Sequence, residues 1–175
     1  YDFEIENFKF LNNVTTFIHH SKKNAQNLNK QISLPFELID QCANNEEKLL
    51  NIPIDINETL RFGYLGRLSE EKGILQLAKF FSNNQYCLKI AGDGPQKKVI
   101  LQAIEKNANC EYLGQFSNEE INLFFNQIDI LVIPSIEESG PLVGLEAMAA
   151  GKLILSTDVG AMKERFEGLN GFWFD

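Results

Sequence analysis

An α/β protein with a doubly wound parallel sheet flanked by helices is the fold class that this sequence predicts. Three observations carry that expectation. From residue 60 to residue 174, six apolar runs of strand length alternate with five helical patterns. Strand alternating with helix is the signature of parallel βαβ units, whose helical crossovers cover both faces of the sheet. The 175 residues, 44% hydrophobic and 23% charged, suit an ordinary folded domain with a core of its own rather than a disordered chain.

The elements follow in order. Residues 15–18 have strand character, and Ser21 is placed to cap a short polar helix through Asn29. Residues 32–39 form a second apolar run, which Pro35 confines to an edge strand or strand end. A short helix over 46–51 must stop before Pro53. The regular part then predicts strands at 60–65, 86–91, 111–113, 129–133, 153–156 and 172–174. Helices are expected at 73–81, 96–106, 118–126, 142–150 and 161–166. In the second of these, Val99, Ile100, Ala103 and Ile104 share one face, and Ser117 with Glu120 forms a capping-box pattern ahead of the third.

Sixteen Lys and Arg against 24 Asp and Glu leave a formal charge of −8, which speaks against a nucleic-acid partner. A small anion is not excluded, since two or three placed cations can hold one. Cys42, Cys87 and Cys110 show no metal-ligand spacing and read as reduced thiols, the latter two in apolar runs where a thiol acts as a small core residue. His19 and His20 have no Cys, Asp or Glu at ligand spacing, so a strand-end role is expected rather than a metal site. No stretch approaches the ~18 apolar residues of a membrane span. The opening Tyr1-Asp2-Phe3 reads as a cut edge of a longer chain.

In a doubly wound sheet, ligands bind at the carboxyl ends of the strands, and four loops there are unusual. Gly66-Arg67-Leu68-Ser69-Glu70-Glu71-Lys72-Gly73 sets a guanidinium and an ammonium five residues apart before a helix start, an arrangement that can grip an anion. The competing reading is a solvated loop with Lys72 paired to Glu70 or Glu71. Gly92-Asp93-Gly94-Pro95 is a tight turn into a helix and departs from the dinucleotide fingerprint. Pro134-Ser135-Ile136-Glu137-Glu138-Ser139-Gly140-Pro141 leaves a buried strand and leads into a helix bearing Glu146. Carboxylates accept paired hydrogen bonds from vicinal diols, as in ribose or a sugar ring. Glu146 sits in a small, apolar run, so either it meets a ligand or partner or it faces solvent at the helix edge. Thr157-Asp158-Val159-Gly160 is the fourth loop.

Together and in this order, these loops resemble the C-terminal, nucleotide-sugar-binding domain of retaining glycosyltransferases of glycosyltransferase family 4. The matching stretches are Gly66-Arg67-Leu68 with Lys72-Gly73, Ile90-Ala91-Gly92-Asp93-Gly94-Pro95, Tyr112-Leu113-Gly114, and Asp129 through Ser135. They continue with Glu138-x7-Glu146-Ala147-Met148-Ala149-x-Gly151 and with Thr157-Asp158-Val159-Gly160 and Glu164, covering about 60–175. The resemblance implies a Rossmann-like sheet forming one half of a GT-B fold. It implies catalytic roles for Glu138, Arg67 and Lys72. Arg67 and Lys72 would hold the donor diphosphate, Glu146 the ribose hydroxyls and Glu138 the donor-sugar hydroxyls. Leu113-Gly114-Gln115 would line the base, and Gly92 and Gly94 border the nucleotide cleft. Ser139 and Gly140-Pro141 stand where the family has a small residue and then Phe-Gly. Pro141 has no N–H to offer, so either Gly140 and Leu142 would supply the backbone contact or the sugar would sit differently, which leaves the donor sugar open. Gly160-Ala161 replaces a Gly-Gly pair.

The resemblance also implies a domain division. Residues 1–13 would be a remnant of an interdomain linker, and 14–175 the C-terminal domain without its last helices. An N-terminal acceptor domain would be absent. The full protein would then move a sugar from a UDP, GDP or ADP type donor to a glycan or lipid-linked acceptor with retention, in cell-surface polysaccharide biosynthesis. No metal or other cofactor is expected, because the family meets the diphosphate with Arg and Lys. The location expected is the cytoplasm or the inner face of the membrane, with peripheral attachment through the missing domain. The alternatives are a non-catalytic nucleotide-sugar-binding or partner-docking module and a GT-B nucleotide-sugar epimerase.

Overall fold

The computed structural model describes residues 14–30, 34–54, 59–138, 140–166 and 172–174. The linker remnant expected at 1–13 and the site residue Ser139 lie outside them. The chain divides into two compact units, Tyr1–Gln41 and Cys42–Asp175.

In the first unit, β1 (Phe17–His19) and β2 (Phe36–Leu38) pair in parallel, Phe17 opposite Phe36 and His19 opposite Leu38, joined by α1 (Lys22–Asn29). Ser21 caps α1: its Oγ accepts the Asn24 amide at 3.1 Å. Pro35 directly precedes β2, and its carbonyl accepts the Phe17 amide. The His20 ring donates from Nδ1 to the Ile39 carbonyl at 2.7 Å.

The second unit begins with α2 (Glu46–Leu50) and then alternates strand and helix. In chain order come β3 (Arg61–Leu65), a 3-10 turn (Glu70–Lys72), α3 (Ile74–Ser82), β4 (Cys87–Ala91) and α4 (Lys97–Ile104). There follow β5 (Cys110–Gly114), α5 (Ile121–Phe125), β6 (Ile130–Ile133), α6 (Leu142–Ala149), β7 (Leu153–Thr157), α7 (Met162–Arg165) and β8 (Phe172–Phe174). The six strands form one parallel sheet in the order β5-β4-β3-β6-β7-β8. Counted from β3, this is the 3-2-1-4-5-6 order of dinucleotide-type folds. The predicted class is therefore observed, with strand and helix ends shifted by one to three residues.

Two cores lie on the two faces. Leu131 and Ile133 of β6 enter one, with Phe124 and Phe125 of α5, Ala147 of α6 and Met162 of α7. Val132, between them, enters the other, with Ile74, Leu77 and Phe81 of α3 and Ile100 and Ile104 of α4. All four β6 residues are buried, so the strand reads as an unbroken apolar run rather than as an alternation.

Two local expectations are corrected. α5 starts at Ile121, three residues later than expected, because Ser117 and Glu120 spend themselves on one another. The Glu120 carboxylate accepts both the Ser117 amide (3.2 Å) and its hydroxyl (2.8 Å), so no hydroxyl oxygen is aimed at the helix amides. Cys87 and Cys110 open β4 and β5 and are half-buried rather than core residues. α3 begins within one residue of the expected position, with a 3-10 turn between it and Arg67.

At the amino ends of the strands, β3 and β6 are clamped by a bidentate ion pair. Arg61 donates from Nε to Asp129 Oδ2 (3.0 Å) and from Nη2 to Oδ1 (2.7 Å), and its amide also meets Oδ2 (2.8 Å). Asp129→Ala leaves a half-buried guanidinium and an amide without their acceptor. We expect urea unfolding to show a loss of about 1–3 kcal/mol. Ligand binding at the opposite, carboxyl end of the sheet should be unchanged.

Candidate functional site

The strand order reverses between β3 and β6, and α3 and α6 leave these two strands toward opposite cores. A crevice at the carboxyl ends of such a pair is dictated by the topology. It is a cavity of about 270 Å³, lined from the β3 side by Tyr64, Gly66, Arg67 and Lys72, and from the β6 side by Ser135, Glu138, Pro141, Leu142 and Val143.

Backbone bonds fix the loops around it. The amides of Ile136 and Glu137 both donate to the Glu71 carbonyl, at 2.8 and 3.3 Å, tying the β6 loop to the 3-10 turn. The Leu68 amide donates to Asp93, and the Gln96 amide returns to Leu68, tying the β3 loop to the β4 loop. The Thr157 hydroxyl donates to the Ser135 carbonyl at 2.6 Å. Two glycines permit this closeness. Gly73 has φ +64, and a Cβ there would overlap the Pro134 carbonyl oxygen; Gly160 has φ +59, and its Cβ would overlap that of Glu138.

Within this frame, Lys72 pairs with Glu138 rather than with Glu70 or Glu71: Nζ stands 2.5 Å from Oε2, with the two side chains 27% and 8% exposed. The Ser135 hydroxyl is 3.4 Å from the same carboxylate oxygen. Arg67 is exposed at the rim. Glu71 instead accepts the Ser69 hydroxyl at 2.5 Å; this bond and its own backbone amide, helped by Arg67 and Lys72, hold its carboxyl below the usual range.

Tyr64 also lines the cavity, which the sequence reading missed. It is buried in β3, and its hydroxyl donates to the Arg67 carbonyl at 2.7 Å. Burial, then the charges of Glu138 and Glu71, push its phenol well above the usual range, so it stays a donor. An aromatic in a strand gives no signal of such a role, since the alternation marks it only as core.

The other expected site residues lie around the cavity rather than on its wall. Glu146 is buried (6% exposed) in α6, one turn beyond Leu142 and Val143 and so on their side of the helix. Its carboxylate has no hydrogen-bonding or ionic partner among the described residues, and burial raises its pKa. Gly140 precedes α6 with φ +110. Leu113 and Gly114 end β5 and Gln115 follows it, where the pairing with β4 slips by one residue so that Ala91 faces Gly114. Gly92 donates its amide to the Gly114 carbonyl, and Gly94 packs against Leu68. Asp93 accepts the Gly94 amide and Lys97, and both hold its carboxyl below the usual range. In the fourth loop, Asp158 pairs with Lys163 at 2.5 Å. No group of three or more His, Cys, Asp or Glu among the described residues could hold a metal ion, and none of their helices is long and apolar enough to cross a membrane.

Comparison with known proteins gives a consistent result. The family described as "Glycosyl transferases group 1" matches residues 46–175. The chain is 32% identical over 145 residues to the lipopolysaccharide 1,2-N-acetylglucosaminetransferase of Salmonella typhimurium, covering 73% of this chain and 37% of that protein. It is also 32% identical over 133 residues to the putative teichuronic acid biosynthesis glycosyltransferase TuaC of Bacillus subtilis, covering 75% of this chain and 32% of that one. The chain thus spans about a third of the length of these curated relatives. Among solved structures, a mutant of S. aureus TarM in complex with fondaparinux, alpha-GlcNAc-glycerol and UDP matches with a TM-score of 0.77 at 18% identity, covering 94% of this chain and 34% of that one.

Glu146 gives this site a pH signature. Its folded-state pKa is raised, so the unfolded chain releases this proton first as pH rises. Its contribution to stability is greatest below the usual glutamate pKa and declines as pH climbs through the folded value. Glu146→Gln removes that decline. Melting curves should show the variant above wild type at neutral pH, by about 2–4 °C per kcal/mol recovered, and level with it in acid.

Proposed function

The chain belongs to the glycosyl transferases group 1 family as the C-terminal domain of a GT-B glycosyltransferase, and from that premise we propose that it binds the nucleotide-sugar donor. The full protein moves the sugar to a glycan or lipid-linked acceptor with retention at the anomeric carbon, as a hexosyltransferase of glycosyltransferase family 4. The observation that carries this reading is the meeting of Arg67, Lys72 and Glu138 in one cavity at the switch point of the sheet.

Each group has a task suited to its chemistry. As the bond from the anomeric carbon to the leaving oxygen breaks, negative charge builds on the diphosphate. Arg67 offers a planar fork and Lys72 a point charge to meet it. Leu142 and Val143 open α6 on the cavity wall, at the end of the helix where the dipole favours an anion. Glu138 accepts hydrogen bonds from the donor-sugar hydroxyls. Glu146 accepts them from the ribose diol, which offsets a burial that nothing on the described chain offsets. The β5 end at Leu113-Gly114-Gln115 borders the base, and open space at Gly114 leaves room for it.

Arg67 and Lys72 take the place of a divalent metal at the diphosphate, so no cofactor is required. The acceptor meets parts of the protein outside this chain. The likeness to a lipopolysaccharide N-acetylglucosaminetransferase and to a putative teichuronic acid biosynthesis glycosyltransferase supports a cell-surface polysaccharide as product. Work in the cytoplasm or at the inner face of the membrane accords with that product.

Calorimetry with UDP, GDP and ADP tests the reading. One of the three is expected to bind, and Arg67→Ala is expected to weaken it about tenfold or more, the worth of one hydrogen bond from a charged donor. No binding by any of them, or binding indifferent to Arg67, would sink the assignment.

A further inference from the structure

We propose that Glu138 makes the site discriminate against the free nucleoside diphosphate in favour of the nucleotide sugar, by holding Lys72 in an ion pair that a bare diphosphate must draw apart with no sugar hydroxyls to take the ammonium's place. This rests on the donor-binding reading above and adds a specificity-determining role to it.

The pair has the properties this needs. Its two members come from loops 66 residues apart, and the Nζ to Oε2 distance is 2.5 Å. Glu138 is nearly buried and Lys72 mostly so, which takes the contact out of bulk water, where ion pairs contribute little. Both loops are tied in place by backbone contacts. The amides of Ile136 and Glu137 are held on the Glu71 carbonyl, Gly73 lies against Pro134, and Gly160 lies against Glu138 itself. Both side chains line the same cavity as Arg67.

An anion arriving beside Arg67 draws on the Lys72 ammonium and also meets the negative Glu138 carboxylate at close range. When the anion carries a sugar, the sugar hydroxyls give the carboxylate hydrogen bonds in place of the ammonium. When the sugar has been transferred, those hydroxyl hydrogen bonds are lost, and the Ser135 hydroxyl, 3.4 Å away, carries no charge to replace the ammonium. Glu138 then recaptures Lys72, and the spent diphosphate is weakened at the step where it must leave. No bond is made or broken in this exchange; Lys72 only changes partners.

Glu138→Gln keeps the shape and removes the charge. Calorimetry on the chain should show its affinity for the nucleoside diphosphate rising about three- to tenfold, on the scale of one partly buried ion pair. Its affinity for the corresponding nucleotide sugar should fall. A parallel loss for both ligands, or no change in the diphosphate, would overturn the inference and leave Glu138 a structural residue. If the wild-type chain binds neither ligand, it is the donor-binding reading that fails instead. Glu138→Ala, checked for folding by its melting curve, is expected to move the diphosphate in the same upward direction. On the unaltered chain, the nucleotide sugar should be the tighter ligand of the two; the reverse order would also contradict the proposal.

Discussion

The parallel pairing of β3 with β6 is the contact on which the site depends. Phe62 stands opposite Ile130 and Gly63 opposite Leu131, and the Arg61–Asp129 clamp closes the end of the pair away from the site. Gly63 is a glycine for a packing reason: a Cβ there would run into the side chains of Ile128 and Phe124. On leaving these two strands the chain turns to opposite faces, into the core with α3 on one side and the core with α6 on the other. That divergence opens the crevice, and the loops that close over it come from both sides. Arg67 and Lys72 on one loop and Glu138 on the other become neighbours because two strands far apart in sequence are adjacent in the sheet.

The same arrangement concentrates polar groups where an apolar contact would stabilise the fold more. Glu146 occupies a helix position next to Leu145, Ala147, Met148 and Ala149, and its burial disfavours a charged carboxylate. Tyr64 holds a hydroxyl in the core to anchor the Arg67 carbonyl. The Lys72–Glu138 pair gives up hydration on both sides, and breaking it by removing one partner leaves the other exposed to that loss. These concessions cluster at the carboxyl ends of β3 and β6. The far end carries a satisfied bidentate pair, and the two cores carry almost only Ile, Leu, Phe, Val, Ala and Met. A division of this kind is what a binding site imposed on a stable sheet would produce.

Much of the fold was legible because its signals are local. The apolar run of β6, the cap at Ser21 and the stop before Pro53 each rest on residues a few positions apart, and each is observed. Boundaries were less legible where two local bonds competed, as at Ser117 and Glu120, which shorten α5. The site was legible as residue types at loop positions, Arg67, Lys72 and Glu138 among them. It was not legible as geometry. The partner of Lys72 is 66 residues away, so nearby Glu70 and Glu71 looked equally able to pair with it. Tyr64 carried only the signal of a core strand residue. The one-residue slip at the end of β5 depends on how β4 runs beside it, which no pattern within Tyr112-Leu113-Gly114 could announce.

The central claim is that a nucleoside diphosphate binds where β3 and β6 part, between the loops that follow them. Titrating an isotope-labelled chain with that ligand and mapping amide shifts by NMR tests this most directly. The largest shifts are expected over residues 66–73 and 135–146, with smaller ones at 113–115. Shifts confined to the amino ends of the strands around Arg61 and Asp129, or to a second groove lined by Lys48, Asn51, Asn122 and Asn126, would contradict it.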